Sequence, residues 1–312
     1  MRPKVAFYWC AACGGCEECI VDLGDDLLRV IEAVEIAFWP VALDYKEKDL
    51  QAMPDASLDI AFVNGAVRNV EQKDMAELLR AKAKTIVAFG ACAQLGGIPG
   101  LANLSDSRAI LDTAYGENGA PREEYGVDGE TLSLPGLLDA VLPLDGVIPV
   151  DYYVPGCPPT PNIVRAAFET LLGPDRPPKG AVLAPDHALC EQCPRRETRS
   201  ETLAIHEFRR VQACVIQPDT CILEQGVLCL GPSTRAGCEA RCIAANMPCT
   251  GCFGPTGRVR DFGAKALSAV ASVIDAREDQ DVASVVDGIA DPAGTFFRYS
   301  LPSSFLERKC GK

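Results

Sequence analysis

Basic charge is scarce in this chain: 30 Lys and Arg stand against 43 Asp and Glu, a formal charge of −13 at pH 7. Such a surface repels a phosphate backbone, so nucleic acid is not an expected partner, and the acidity otherwise serves solubility. No apolar run approaches membrane-spanning length. The opening Met-Arg-Pro-Lys passes straight into a strand without a signal-peptide segment, twin arginine or lipidation motif, so the expectation is a cytoplasmic protein with no membrane insertion. No Walker or flavin-type phosphate loop occurs, because the loop after the first strand is taken up by cysteines. Histidine is limited to His187 and His206, and no open site with an acid or base beside it can be picked out, which argues against a self-contained catalyst.

Cysteine, in contrast, is abundant, with sixteen in 312 residues. Disulfides rarely persist in a reducing compartment, and without an export signal a secreted disulfide framework is disfavoured. Metal ligation remains, as zinc or as iron–sulfur clusters. The densest stretch is Cys10-Ala-Ala-Cys13-Gly-Gly-Cys16-Glu-Glu-Cys19, directly after the apolar run Val5-Ala-Phe-Tyr-Trp9. That run reads as a buried first strand, and a loop at its carboxyl end faces the ligand crevice of an open α/β sheet. The Gly14-Gly15 pair lets the backbone turn tightly there. Glu17 and Glu18, beside Cys16, suit either proton movement at an interface or the start of a helix.

Downstream, residues 20–34 carry apolar residues at a helical period and read as one amphipathic helix. Residues 36–39, 58–63 and 85–89 are short strand-like runs, with a helix at 71–82 between the last two. This alternation predicts a doubly wound parallel sheet covered on both faces. Two further strand ends repeat the first pattern. Gly90-Ala-Cys92-Ala-Gln-Leu-Gly-Gly97 follows one, and Pro155-Gly-Cys157-Pro-Pro159 follows another, with Thr160 as helix cap and Pro161 at the first position of a helix to residue 172. Three loops at one sheet edge thus carry cysteines, a cradle for a cluster. Residues 100–146 read as a long surface insertion, and residues 174–180 as a linker, dividing the chain into 1–176 and 177–312.

The second part is a cysteine-rich module. Cys190-Glu-Gln-Cys193 and Cys249-Thr-Gly-Cys252 are elbows that suit zinc and cubane clusters equally. Gly-Pro turns after Cys229 and Cys252 free backbone N–H groups to point at sulfur, which tunes a cluster's potential. Arg195, Arg196 and Arg199 form a basic run that offsets cluster charge, docks an acidic partner, or is simply solvated. His206 reads as a solvated residue on a helix.

Taken in order, Cys13-Gly-Gly-Cys16, the Cys92 and Cys157 loops, His187-Ala-Leu-Cys190, Cys229-Leu-Gly-Pro232 and Pro248-Cys249-Thr-Gly-Cys252 resemble the small electron-transfer subunit of [NiFe] hydrogenases. The resemblance runs from about residue 4 to 262 and is strongest to the soluble viologen-reducing type that associates with heterodisulfide reductase. It implies a flavodoxin-like N-terminal domain and a C-terminal, mostly irregular and helical, iron–sulfur domain. It also implies three [4Fe-4S] clusters: a proximal one on Cys13, Cys16, Cys92 and Cys157; a medial one on Cys238, Cys242, Cys249 and Cys252; and a distal one on Cys190, Cys221, Cys229 and either Cys193 or His187. The membrane-bound relatives typically hold a three-iron medial cluster because the fourth ligand is missing; here Cys242 can supply it, so a four-iron cluster is expected. Cys10, Cys19, Cys214 and Cys310 have no counterpart and read as ordinary thiols.

The function expected is an electron relay from dihydrogen oxidation at a partner large subunit to a further redox subunit such as heterodisulfide reductase. Catalysis would then belong to the complex. The alternatives are a multi-zinc structural or binding protein, and the electron-transfer subunit of a related quinone or deazaflavin oxidoreductase. A quinone-reductase subunit would carry adjacent cysteines in its first loop, and a deazaflavin-reducing one a further C-x-x-C-x-x-C run.

Overall fold

The computed structural model describes residues 2–116, 124–127, 130–276 and 278–306. The chain starts with β1 (Lys4–Trp9) and helices α1 (Gly15–Val21) and α2 (Asp25–Ala33), followed by β2 (Glu35–Phe38), α3 (Glu47–Ala52), β3 (Leu58–Asn64) and a short β4 (Val67–Asn69). Helix α4 (Val70–Lys82), β5 (Ala83–Phe89), α5 (Ala91–Leu95) and α6 (Ser107–Tyr115) come next, then β6 (Glu124–Val127), β7 (Glu130–Ser133), β8 (Leu137–Leu142), β9 (Tyr152–Val154), α7 (Pro161–Leu172) and β10 (Ala181–Val182). Six of the strands form one sheet in the order β10-β9-β5-β3-β1-β2, and every pairing in it is parallel. Apart from the added edge strand β10, this is the 2-1-3-4-5 winding of a flavodoxin-like fold.

Strand sequences explain why both faces are covered. Val5 and Phe7, Ile60 and Phe62, and Val87 and Phe89 point to one side, against Ile163, Phe168 and Leu171 of α7. Their neighbours Ala6, Ala61, Val63, Ile86 and Ala88 point to the other, against Met75, Ala76 and Leu79 of α4. Phe62 sits at the centre, stacked on Phe7 at 5.2 Å and packed on Phe168 at 5.0 Å. Emptying such a site by Phe→Ala costs about 3–5 kcal/mol.

Several local expectations need correction. Residues 20–34 are two helices, not one, because Gly24 takes a positive φ of 59° and Asp25-Asp26 then start a fresh helix whose exposed amide end favours acids. Thr160 stands at the cap position of α7, but its hydroxyl makes no cap bond. The insertion is not all surface: β8 pairs antiparallel with β4, and the buried Asn103 side chain bonds both backbone groups of Val141. Residues 174–180 lead back to the sheet, since β10 pairs with β9.

Beyond β10 the chain is mostly irregular, with α8 (Arg241–Ala244), α9 (Phe262–Ala271), α10 (Asp279–Asp287) and α11 (Pro292–Phe296). Its own core gathers Leu189, Phe208, Leu223, Leu230, Phe262 and Phe296 among others. His206 is exposed but lies in no helix; its Nδ1 meets the Asp275 carbonyl at 3.0 Å. The C-terminal segment returns to the first domain, where the Gly97 amide donates to Tyr299 O at 3.0 Å. Pro302 fits so tightly that a Cβ on Gly96 or on Gly100 would come within 2.3 Å of it.

Candidate metal centres

Three groups of thiols emerge. The first collects from the carboxyl ends of β1, β5 and β9. After β1 the chain turns through Gly14, whose φ is +90°, and α1 begins at once, carrying Cys16 inward while Cys13 stays exposed. Gly90, with φ +87°, sets Cys92 on the first turn of α5, and a Cβ on Gly90 would lie 2.4 Å from Cys16 Sγ. Only glycine leaves room there. Gly97 is similarly placed, 2.4 Å from Cys92 Sγ by the same measure, and the Ile98 amide donates to that sulfur.

Burial, and then the neighbouring Cys157 and Cys13, push the Cys92 thiol up to about 12. Cys16 is driven upward by burial and by Cys19, Cys92, Cys157 and Cys13. Cys13, Cys16, Cys92 and Cys157 thus lie near one another, with Cys19 also beside Cys16. No disulfide joins them, and thiols held this way become thiolates when a cation joins them.

The second group is Cys238, Cys242, Cys249 and Cys252. Glu239 and Ala240 adopt φ of +58° and +52°, a strain of about 1–3 kcal/mol each for non-glycine residues. The strain is matched by a result: the Ala240 and Arg241 amides both donate to Cys238 Sγ. Cys249 is buried, and its sulfur accepts the Gly251 amide and contacts Thr234 Oγ1 at 3.5 Å. Burial, followed by Cys238, Cys157 and Cys242, pushes Cys252 to about 12.

The third group is Cys190, Cys193, Cys221 and Cys229. Burial and the nearby Cys229, Cys193 and Cys221 raise Cys190 to about 12, against an opposing pull from Arg199. Cys229 Sγ accepts the Gly231 amide, as the Gly-Pro turn predicted. The equivalent turn after Cys252 acts differently, because its Gly254 amide bonds Gly251 O instead. A Cβ on Gly231 would stand 3.3 Å from Cys190 Sγ and 3.7 Å from Cys229 Sγ. The His187 Nδ1 lies 3.3 Å from Ala188 O and 3.9 Å from a Glu191 carboxylate oxygen.

The groups form a line. The Cys157 amide of the first donates to Cys252 Sγ of the second, and the Cys249 amide of the second donates to Cys229 Sγ of the third at 3.4 Å. Among the described residues no three His, Cys, Asp or Glu side chains close on a point for one ion. Thiols with backbone amides and glycines beside them are the kind of environment an iron–sulfur cluster requires.

Of the unassigned thiols, Cys10 and Cys19 are buried in the first domain, Cys214 is half-buried, and Cys310 lies outside the described residues. Sequence reasoning missed the partners of Glu17. This carboxylate is buried, and it accepts hydrogen bonds from the Trp39 indole and, at 2.7 Å, from Asn64 Nδ2. Burial raises its pKa while those two bonds oppose the rise. The available signal was positional, since Trp39 and Asn64 stand at the carboxyl ends of β2 and β3, beside the loop of β1.

An open parallel sheet offering thiols from three strand ends defines a class, and the model of the family "NADH ubiquinone oxidoreductase, 20 Kd subunit" matches residues 13–171. Longer matches extend through the second module. The iron–sulfur subunit of the F420-non-reducing hydrogenase of Archaeoglobus profundus is 38% identical over 324 residues, covering 100% of both chains. A subunit of the F420-non-reducing hydrogenase of Methanothermobacter thermautotrophicus is 37% identical, covering 100% of this chain and 98% of its own. A solved Dm. baculatum [NiFeSe]-hydrogenase chain shares the fold, with a TM-score of 0.52 at 19% identity over 82% of this chain and 95% of that one. The chain belongs to the family of F420-non-reducing hydrogenase iron–sulfur subunits, within the small-subunit class of hydrogenases.

Proposed function

We propose that this chain is the electron relay of a cytoplasmic [NiFe] hydrogenase complex, holding three [4Fe-4S] clusters and no catalytic metal of its own. Cys13, Cys16, Cys92 and Cys157 would hold the proximal cluster. Cys238, Cys242, Cys249 and Cys252 would hold the medial one, and Cys190, Cys193, Cys221 and Cys229 the distal one. Such clusters, when bound, supply one-electron chemistry. The observation that carries this reading is the line of thiol groups joined by the Cys157 amide on Cys252 and the Cys249 amide on Cys229.

The chain's own residues do the rest. Amides of Ile98, Ala240, Arg241, Gly251 and Gly231 are aimed at sulfur and stabilise negative charge there. Apolar cores pack against Cys229, Cys249, Cys238 and Cys252, while Cys242 stays exposed. Cys13 is exposed, which puts the proximal edge at the surface where a large subunit's Ni-Fe centre would dock. The distal end would serve a further redox subunit of the heterodisulfide reductase type. The proposed division is a flavodoxin-like domain at 1–176 with the proximal cluster, and an iron–sulfur domain at 177–312 with the other two.

Metal analysis tests the reading against the multi-zinc alternative. The air-free complex is expected to carry about twelve iron atoms on this chain, the sum of three four-iron clusters; zinc as the main metal would overturn it.

A further inference from the structure

The three arginines that follow Cys193 have different fates. Arg196 and Arg199 are exposed, while Arg195 is 5% exposed. Its guanidinium Nη1 donates to Gln217 O and Thr220 O, both at 3.3 Å, and Nη2 to Ile243 O at 3.3 Å and Asn246 Oδ1 at 2.6 Å. All four acceptors are neutral, and among the described residues no Asp or Glu forms an ion pair with it. Asn246 is held for this contact, in a left-handed conformation of φ +61° with its Nδ2 on Ile216 O.

Folds rarely keep a buried cation without an opposite charge nearby. Hydrogen bonds engage both terminal nitrogens of Arg195 but leave its charge uncompensated. Its position supplies the compensation. Thr220 immediately precedes Cys221 of the distal set, Ile243 immediately follows Cys242 of the medial set, and the Arg195 amide donates to Cys193 Sγ at 3.4 Å. The guanidinium is lodged between the shells of two four-thiolate groups.

We propose that Arg195 is the shared counter-ion of the medial and distal clusters and sets their reduction potentials. This rests on the relay reading above. A cluster on four thiolates is negatively charged and gains one further negative charge when it accepts an electron. A fixed, permanently protonated guanidinium stabilises the reduced form more than the oxidised form, with no proton taken up or released. Arg195 is thus a positioning residue for electron transfer: it raises the potentials of both acceptors and keeps them reducible by the proximal donor.

The test is a redox titration of the air-free complex followed by electron paramagnetic resonance, comparing Arg195→Gln and Arg195→Lys with the exposed control Arg196→Gln. Arg195→Gln should lower the reduction equilibrium of the medial and distal clusters about tenfold each, about 59 mV for one electron, with the proximal cluster unmoved. Arg195→Lys and Arg196→Gln should stay near wild type. If Arg195→Gln loses a C-terminal cluster while Arg195→Lys keeps all three at native potentials, the charge requirement stands. Unmoved midpoints in Arg195→Gln, equal shifts in both Arg195 variants, or loss of clusters from both would overturn the proposal and leave Arg195 a packing residue. A wild-type chain without cluster signals would instead strike the relay reading.

Discussion

At the scale of single residues, the distal set turns on which side chain stands fourth. Cys193 interacts with Cys190 and Cys229, whereas the His187 Nδ1 lies 3.9 Å from a Glu191 carboxylate oxygen. A thiolate is softer than imidazole and charged, so it binds iron more strongly. His187→Ala should therefore keep all three cluster signals and most electron transfer, while Cys193→Ala should lose the native distal signal; the opposite pattern would name the histidine. The medial set gives a second case. Cys242 is exposed yet interacts with both Cys238 and Cys252. Cys242→Pro should convert the medial cluster to a three-iron form with a changed paramagnetic signal, and an unchanged spectrum would make Cys242 a spare thiol.

The residue level was also where the sequence was most readable. Spacing and neighbouring glycines marked the cysteine-bearing loops, and the family resemblance then implied the ligand sets, with Cys193 and His187 left as alternatives. Partners brought together from distant segments could not be. Nothing local to Trp39 or Asn64 says that both reach Glu17, and nothing in Arg195-Arg196 says that one guanidinium is buried and the other solvated.

At the scale of elements, glycine decides whether the sheet edge can hold its thiols. Gly90 joins β5 to α5, and any side chain there would strike Cys16 Sγ. Gly90→Ala should lose the proximal cluster while sparing the other two signals, and three intact signals would show that the loop can move aside. A second element test concerns Asp151, which leads into β9. Burial alone would raise its pKa. Hydrogen bonds from Lys179, the Ile86 amide and Arg80, with the Arg80 charge, outweigh burial and hold it below the usual carboxylate range. A depressed carboxylate stabilises the fold above its unfolded pKa, and that contribution is lost as pH falls through the folded pKa. Asp151→Asn should thus cost about 1–3 kcal/mol at neutral pH and progressively less in acid, as read from thermal unfolding across pH. A pH-independent difference would contradict this.

Elements were legible where one period ran undisturbed. Strands β1, β3 and β5 and helix α4 lie within a residue or two of their expected bounds. The break in the helix expected at 20–34 was missed because Gly24 turns the chain without interrupting the apolar period, and Leu23 continues the buried face across the break. Strand β8 was missed because its partner, β4, is a three-residue strand far away in sequence.

At the scale of the whole molecule, the arrangement is a line of three thiol groups through two packed modules, closed by the C-terminal segment that returns over Gly96 and Gly97. The order of the sequence does not reveal that line, since the second group comes from residues 238–252 and lies between groups at 13–157 and 190–229. The family resemblance alone implied that order, and the contacts that link the groups are those of the Cys157 amide with Cys252 and of the Cys249 amide with Cys229. The most direct test is to expose the air-free complex to dihydrogen and count the paramagnetic cluster signals that this chain contributes on reduction. Three four-iron signals with about twelve iron atoms are the result expected for the relay. Fewer clusters, zinc in their place, or signals that dihydrogen fails to reduce in a complex with an active Ni-Fe centre would contradict it.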